Sequence, residues 1–260
     1  MAIITLTTDF GFRDHYTAAV KANLIKVHPN VRLIDVSHHI EPFNISHGSY
    51  VLSNVFREFP EGSIHLVSVH KPSRTVEPCI AFQSNGHYFF GVDNGLLSLV
   101  TEDEPTEVIK LHGSEEPQKF TFFAKDILVP AINKLVGGAA LGELGTAMPG
   151  MRKMLNPQLR VTKNLIAGNI VHIDHYGNLV TNIKKEEFER VSESRSFMLK
   201  FGRENTDVIS PTYLSPDEGD CMAVFNSNGY LEIAINKGKA DRLLGMRSSL
   251  PVMIQFHPEV

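Results

Sequence analysis

Ile3-Ile4-Thr5-Leu6-Thr7-Thr8-Asp9-Phe10-Gly11 stands near the start of the chain, and its reading decides how the first half folds. Residues 2–7 are a short apolar run of strand length. The run breaks into a polar turn carrying an aspartate and a glycine. Asp9 therefore falls at the C-terminal end of a first strand, where open α/β sheets place their ligands. No basic region precedes the apolar residues and no cleavage site follows, so the run reads as a strand and not a signal peptide.

After this turn, Asp14 is placed to cap a helix whose apolar face is Tyr16, Ala19, Val20, Leu24 and Val27. Pro29-Asn30 stops it, and Val31 to Val36 is a second strand. Ser46 is placed to cap a second helix carrying Tyr50, Val51, Val55 and Phe59, and Ser63 to Val69 is a third strand. Strand and helix in alternation predict right-handed crossovers and a largely parallel sheet. Cys79 to Ser84 and His87 to Gly91 flank Asn85-Gly86, a hairpin signal. Glu107 to Leu111 reads as a further strand, and Asp126 is placed to cap a helix running through Leu135.

Beyond a polar, Pro157-containing stretch the pattern changes. Leu165 to Ile173, Leu179 to Ile183, Ser196 to Phe201, Cys221 to Asn226, Tyr230 to Asn236 and Val252 to Phe256 read as strands, with one short helix at Lys239 to Leu244. The expected organisation is an α/β N-terminal domain at 1–152, a linker at 153–164, and a smaller, all-β, antiparallel and barrel-like C-terminal domain at 165–260.

Composition narrows the function classes. The chain has 260 residues, 42% hydrophobic and 21% charged, which suits a globular protein with a full core. A net charge of -4 gives no electrostatic case for nucleic acid. No apolar run reaches membrane-spanning length. Cys79 and Cys221 lie far apart in apolar segments and read as thiols of a reducing, cytoplasmic compartment. The 12 histidines lack metal-ligand spacing, so no metal is expected. The phosphate-loop, Gly-x-Gly-x-x-Gly and Gly-x-Ser-x-Gly patterns are also missing, which argues against nucleoside triphosphates and serine hydrolase chemistry.

Two stretches carry candidate chemistry. The Asp9 carboxylate can accept two hydrogen bonds from a ribose diol; equally, it can cap a turn. Asp174-His175-Tyr176-Gly177-Asn178 interrupts two strands. Its carboxamide can donate and accept at once, as an adenine edge requires, and its ring can stack on a base. A plain β-turn on Gly177-Asn178 explains the same residues.

Taken in order, the motifs resemble one family, the S-adenosylmethionine (SAM) hydroxide adenosyltransferases, or SAM hydrolases, which are related to the SAM-dependent fluorinases and chlorinases. The matching stretches are Thr7-Thr8-Asp9-Phe10-Gly11 with Asp14, Asp35-Val36-Ser37-His38, Asp93-Asn94-Gly95-Leu96-Leu97, Lys125-Asp126-Ile127, Asp174 to Leu179 with Thr181-Asn182-Ile183, and Asn226 to Ala234. The resemblance implies a homotrimer with SAM between one subunit's N-terminal domain and the next subunit's C-terminal domain. It implies Asp9 at the ribose hydroxyls, and Asn178 at adenine with Tyr213 stacking on it. Tyr176 belongs to the same nucleoside-reading run. Asp174, Ser227 and the neighbouring Asn228 fall at the methionine end. The implied reaction is attack by water at the ribose 5′ carbon, giving adenosine and methionine, with SAM as substrate and no further cofactor.

The same comparison shows a departure. Family hydrolases carry an Asp and an Arg in the loop after the third strand and a His before the Asp-Ile pair. Here His70 stands at the Asp position, Glu77 near the Arg, and Phe123 at the His. Three readings follow: a SAM hydrolase with altered water positioning through His70 and Arg74, a protein that binds SAM or adenosine without turnover, and a SAM-dependent halogenase.

Overall fold

The computed structural model describes residues 1–70, 77–101, 103–116 and 119–257. The chain divides into two units, Met1–Met154 and Leu155–Val260. The expected pairing of an α/β first half with an all-β second half is what they form.

In the first unit β1 (Ile3–Thr8), β2 (Arg32–Ser37), β3 (Ile64–Ser68), β4 (Cys79–Ser84), β5 (His87–Val92), β6 (Val108–Leu111) and β7 (Gly145–Met148) make one sheet in the order β2-β1-β3-β5-β4-β6-β7. β2, β1, β3 and β5 run parallel. β4, β6 and β7 extend the sheet through antiparallel pairings. Both faces of β1 are covered, as parallel strands require. Ile4 and Leu6 pack with Val20, Leu24 and Ile132 on one face. On the sheet's other side Leu52, Phe56, Val67, Phe89 and Leu96 form a second core.

The helices of this unit are α1 (Tyr16–Val27), α2 (Ile45–Ser53), α3 (Leu96–Val100) and α4 (Val129–Val136). Their starts differ from the sequence expectation. The N-cap of α1 is His15, with no side-chain cap from Asp14 or any other residue. Asn44, not Ser46, caps α2, because its Oδ1 accepts the His47 N–H at 3.0 Å. α2 also ends at Ser53, and Phe56 is buried from a separate 3-10 turn. Asp126 is no cap: its N–H already bonds the Phe122 carbonyl at 2.9 Å, inside a π-helical turn, Ala124–Leu128, that leads into α4.

The second unit contains β8 (Arg160–Thr162), β9 (Leu165–Ile173), β10 (Leu179–Lys184), α5 (Lys185–Ser192), β11 (Phe197–Phe201), β12 (Glu204–Thr206), β13 (Cys221–Phe225), β14 (Tyr230–Ile235), α6 (Ala240–Leu243) and β15 (Pro251–Phe256). The strands pair antiparallel in the order β12-β11-β15-β9-β10-β14-β13, with β8 on β9. Past β12 the chain bridges Ile209 to Ala223 of β13, so the sheet nearly closes on itself. Strict alternation of exposed and buried residues along β15 sends Val252, Ile254 and Phe256 into a core with Ile166, Leu199 and Leu231. β8 lies inside the stretch read as linker. α5 was not expected; Phe188 and Val191 fasten it to the core.

Candidate ligand-binding site

Asp9 follows β1 directly, and its N–H bonds the Ser68 carbonyl at the end of β3. Its carboxylate Oδ2 accepts two backbone N–H groups, from His70 at 3.1 Å and Phe43 at 3.3 Å. Such amide bonds to a charged acceptor fix a carboxylate firmly. Phe43 donates from a left-handed conformation, φ 68°. For a bulky residue that geometry is strained, and strain of this kind gathers at functional sites. Gly11, at φ 66°, supplies the left-handed turn that lets its N–H bond the His38 carbonyl at 2.7 Å.

Behind this turn His38 is buried, its Nδ1 2.7 Å from Thr8 Oγ1 and its Nε2 3.1 Å from Asp35 Oδ1. Burial pushes the His38 imidazole below its ordinary pKa, although Asp35 works the other way. Burial opposes ionisation of Asp35 too, but hydrogen bonds from Lys21 and His38 outweigh it and hold the carboxyl below its usual range. The turn carrying Asp9 thus rests on a fixed polar support.

Asp9 lines a cleft of about 640 Å³ together with Tyr16, Phe43, Val69, His70, Glu77, Val92, Asn94, Thr121 and Phe123. This volume suits a small organic ligand. The three positions where the chain departs from the hydrolase pattern, His70, Glu77 and Phe123, line the same cleft. Buried Asn94 ties its wall together, donating to the Val69 carbonyl at 2.9 Å and accepting the Leu96 N–H at 3.1 Å. Asp93 accepts the Arg152 N–H at 2.7 Å, and the Arg152 guanidinium pairs with Glu77. Burial raises the Asp93 pKa against the pull of Arg152. His70 is exposed, with its ring 5.9 Å from that of Phe43. Arg74 lies outside the described residues.

The second unit has its own cleft of about 680 Å³, lined by Asp174, His175, Tyr176, Asn178, Tyr213, Leu214 and the segment from Ala234 to Lys239. The Asp174 carboxylate accepts the Asn178 N–H at 2.8 Å and the Asn178 Nδ2 at 3.0 Å. Gly177 completes this turn at φ 87°, and a Cβ there would stand 2.5 Å from Asp241 Oδ1 and 3.2 Å from the Lys239 backbone. Tyr213 Oη donates to Glu232 Oε1 at 3.0 Å. Glu232 is buried within β14, and burial raises its pKa although Asn226, Tyr213 and Asn178 bond its carboxylate.

The fold therefore gathers Asp9 and His70 in one cleft, and Asp174, Tyr176, Asn178 and Tyr213 in another. Ser227 and Asn228 line neither of these clefts; they sit exposed in the β13–β14 turn. Glu232 escaped the sequence reading of site residues. A glutamate inside the apolar run Tyr-Leu-Glu-Ile-Ala-Ile was the signal that could have found it.

Residues 4–145 match the family model described as the SAM hydroxide adenosyltransferase N-terminal domain, and residues 168–253 match that of the C-terminal domain. A protein of Methanocaldococcus jannaschii named (R)-S-adenosyl-L-methionine hydrolase is 31% identical, over 94% of this chain and 92% of its own length. A protein of the same name from Thermus thermophilus is 27% identical, over 98% of this chain and 100% of its own. Among solved structures, an uncharacterized conserved protein from Thermotoga maritima superposes with a TM-score of 0.87 at 27% identity, covering 97% of this chain and 99% of that one. Matched in both of its units and related over nearly its whole length, the chain belongs to the SAM hydroxide adenosyltransferase family.

Proposed function

We propose that the protein binds SAM and hydrolyses it to adenosine and methionine by displacement at the ribose 5′ carbon. The observation that carries this reading is the Asp9 carboxylate, fixed by two backbone amides in a cleft of ligand size. It is an acceptor preorganised for a diol. The names of the two relatives support the reaction. In the second cleft, Asn178 reads the adenine edge and Tyr176 flanks it. Tyr213 offers its ring as a stacking platform, held in place through its hydroxyl. Asp174 takes the methionine ammonium, with Ser227 and Asn228 near the methionine carboxylate.

The chemistry asks little of the protein. A sulfonium is already an activated leaving group and needs no acid. Alignment of the nucleophile and exclusion of bulk water are the main tasks. SAM is the substrate, and no other cofactor enters the reading. We read the functional assembly as a homotrimer in which the Asp9 cleft of one copy faces the Asp174 cleft of the next. Large apolar side chains exposed beside both clefts support this: Phe12 and Phe43 at the first, Tyr176 and Leu214 at the second. Two free cysteines support a cytoplasmic setting. Among the described residues no helix is long and apolar enough to cross a membrane.

Phe123, apolar in the Asp9 cleft, favours a second reading in which SAM binds without turnover. One experiment separates the readings: incubate the purified protein with SAM, with and without chloride, and follow adenosine and methionine by chromatography. Adenosine and methionine in equal amounts are the expected products. Stoichiometric binding without adenosine above the no-protein control leaves the binding reading. 5′-Chloro-5′-deoxyadenosine formed only with chloride selects halogenation. Failure to bind SAM, adenosine or methionine removes all three.

A further inference from the structure

We infer that Glu77 is the group that holds and deprotonates the attacking water, and that Arg152 positions it. This rests on the hydrolase reading above and names the residue that reading lacks.

Glu77 lines the cleft that contains Asp9, and its side chain is only 9% exposed. Around it the wall is largely apolar, with Val69, Val92 and Phe123. The Arg152 guanidinium pairs with the carboxylate from outside the lining. The Arg152 backbone is anchored, because its N–H is bonded to Asp93 at 2.7 Å. Asp93 precedes Asn94, which holds the Val69 carbonyl, and the next N–H, that of His70, holds Asp9. One continuous set of bonds therefore sets the Glu77 carboxylate relative to the Asp9 carboxylate. A carboxylate so placed accepts a hydrogen bond from water and repels a halide anion.

The step balances with residues of this chain and the substrate. The water oxygen forms a bond to C5′ as the C5′–S bond breaks. The bonding pair stays on sulfur, which leaves as the neutral thioether of methionine. The water proton passes to Glu77 and then to solvent. Among the described residues, the other charged or titratable groups lining the cleft are Asp9, Tyr16 and His70. Asp9 Oδ2 is already engaged by two amides, and His70 is exposed beside Phe43. Arg152, backed by Asp93, faces Glu77 from the other side.

The test compares Glu77→Gln, Glu77→Asp, Arg152→Met and Arg152→Lys with wild type, measuring adenosine formation against pH and SAM affinity by calorimetry. Loss of a general base lowers kcat by about a hundredfold or more, so Glu77→Gln should fall by that much with SAM affinity within about threefold. It should also lose the acid limb of the kcat profile. Glu77→Asp should keep that limb at an intermediate rate. Arg152→Met should lower kcat more than it raises KM, and Arg152→Lys should restore most of the rate. An active wild type matched by Glu77→Gln in rate and pH profile overturns this inference and leaves the hydrolase reading standing. A wild type that binds SAM but forms no adenosine overturns both.

Discussion

The carboxamide of Asn226 donates its Nδ2 to Glu232 Oε2 across 3.0 Å, and it cannot be turned around. Its Oδ1 is committed to the N–H groups of Asn228 at 3.1 Å and Tyr230 at 3.0 Å. Glu232 must therefore offer acceptors to Asn226 on one oxygen and to Tyr213 on the other. Burial raises its pKa, and these bonds, with that of Asn178, work against the rise.

Glu232→Leu tests this arrangement. It removes both acceptors at once and leaves the Asn226 Nδ2 donor, which cannot be turned around, without a partner. A buried donor left unmatched costs about 1–3 kcal/mol. Urea unfolding at neutral pH should show a loss of that size, and SAM affinity should fall as the Tyr213 ring loosens. Glu232→Gln should lose less, because its amide can present Oε1 to Asn226 and Nε2 to the Tyr213 hydroxyl, which can rotate. Equal stability of Glu232→Leu and wild type would mean that the network is not closed in the way described.

Asp9→Ala addresses the other cleft. Hydrogen bonds to a charged acceptor contribute about 1.5–3 kcal/mol, so SAM affinity measured by calorimetry should drop roughly tenfold or more. Asp9→Asn keeps the size and one acceptor and should lose less. Equal affinity in wild type and Asp9→Ala would rule out the ribose role.

These predictions draw on two kinds of residue, and the sequence displays only one of them. β1 was legible because it is a short run of β-branched and apolar residues that ends abruptly at Asp9-Phe10-Gly11. The second unit was legible because β9 and β15 alternate with period two. α5 was hidden, since only Phe188 and Val191 among Lys-Glu-Glu-Phe-Glu-Arg-Val-Ser are apolar and its fastening comes from tertiary packing. Caps were misjudged where several short polar residues compete locally: Asn44 and Ser46 both suit a cap, and backbone geometry picks the first. In the site, Asp174 and Asn178 are neighbours and announce themselves. Tyr213 joins their cleft by folding, and the resemblance, not local pattern, pointed to it. The Glu77–Arg152 pair and the burial of Glu232 depend on contacts between distant segments, which no local pattern encodes.

His65 and His87 form a buried pair outside the lining of the Asp9 cleft. His65 on β3 is fully buried, with Nδ1 2.7 Å from Thr5 Oγ1 and Nε2 3.2 Å from His87 Nδ1. Burial, and then the like charge of His87, push its pKa down to about 3. Burial lowers His87 too, with Glu61 opposing and Arg57 assisting. An unfolded histidine titrates near about 6.5. Between that value and about 3, the unfolded chain binds a proton at His65 that the folded chain refuses. Stability should therefore rise with pH across this window and be lost on acidification through it. His65 alone contributes a slope of up to about 1.4 kcal/mol per pH unit. Carboxylates add their own slopes, so the informative quantity is the difference between wild type and His65→Gln, which retains donor and acceptor groups but does not titrate there. Urea unfolding at pH values from neutral down to the middle of the window should show a shallower decline for His65→Gln, by about one proton. Parallel declines in the two proteins would show that His65 is protonated within the fold, and that the histidine pair accommodates a charge its burial should exclude.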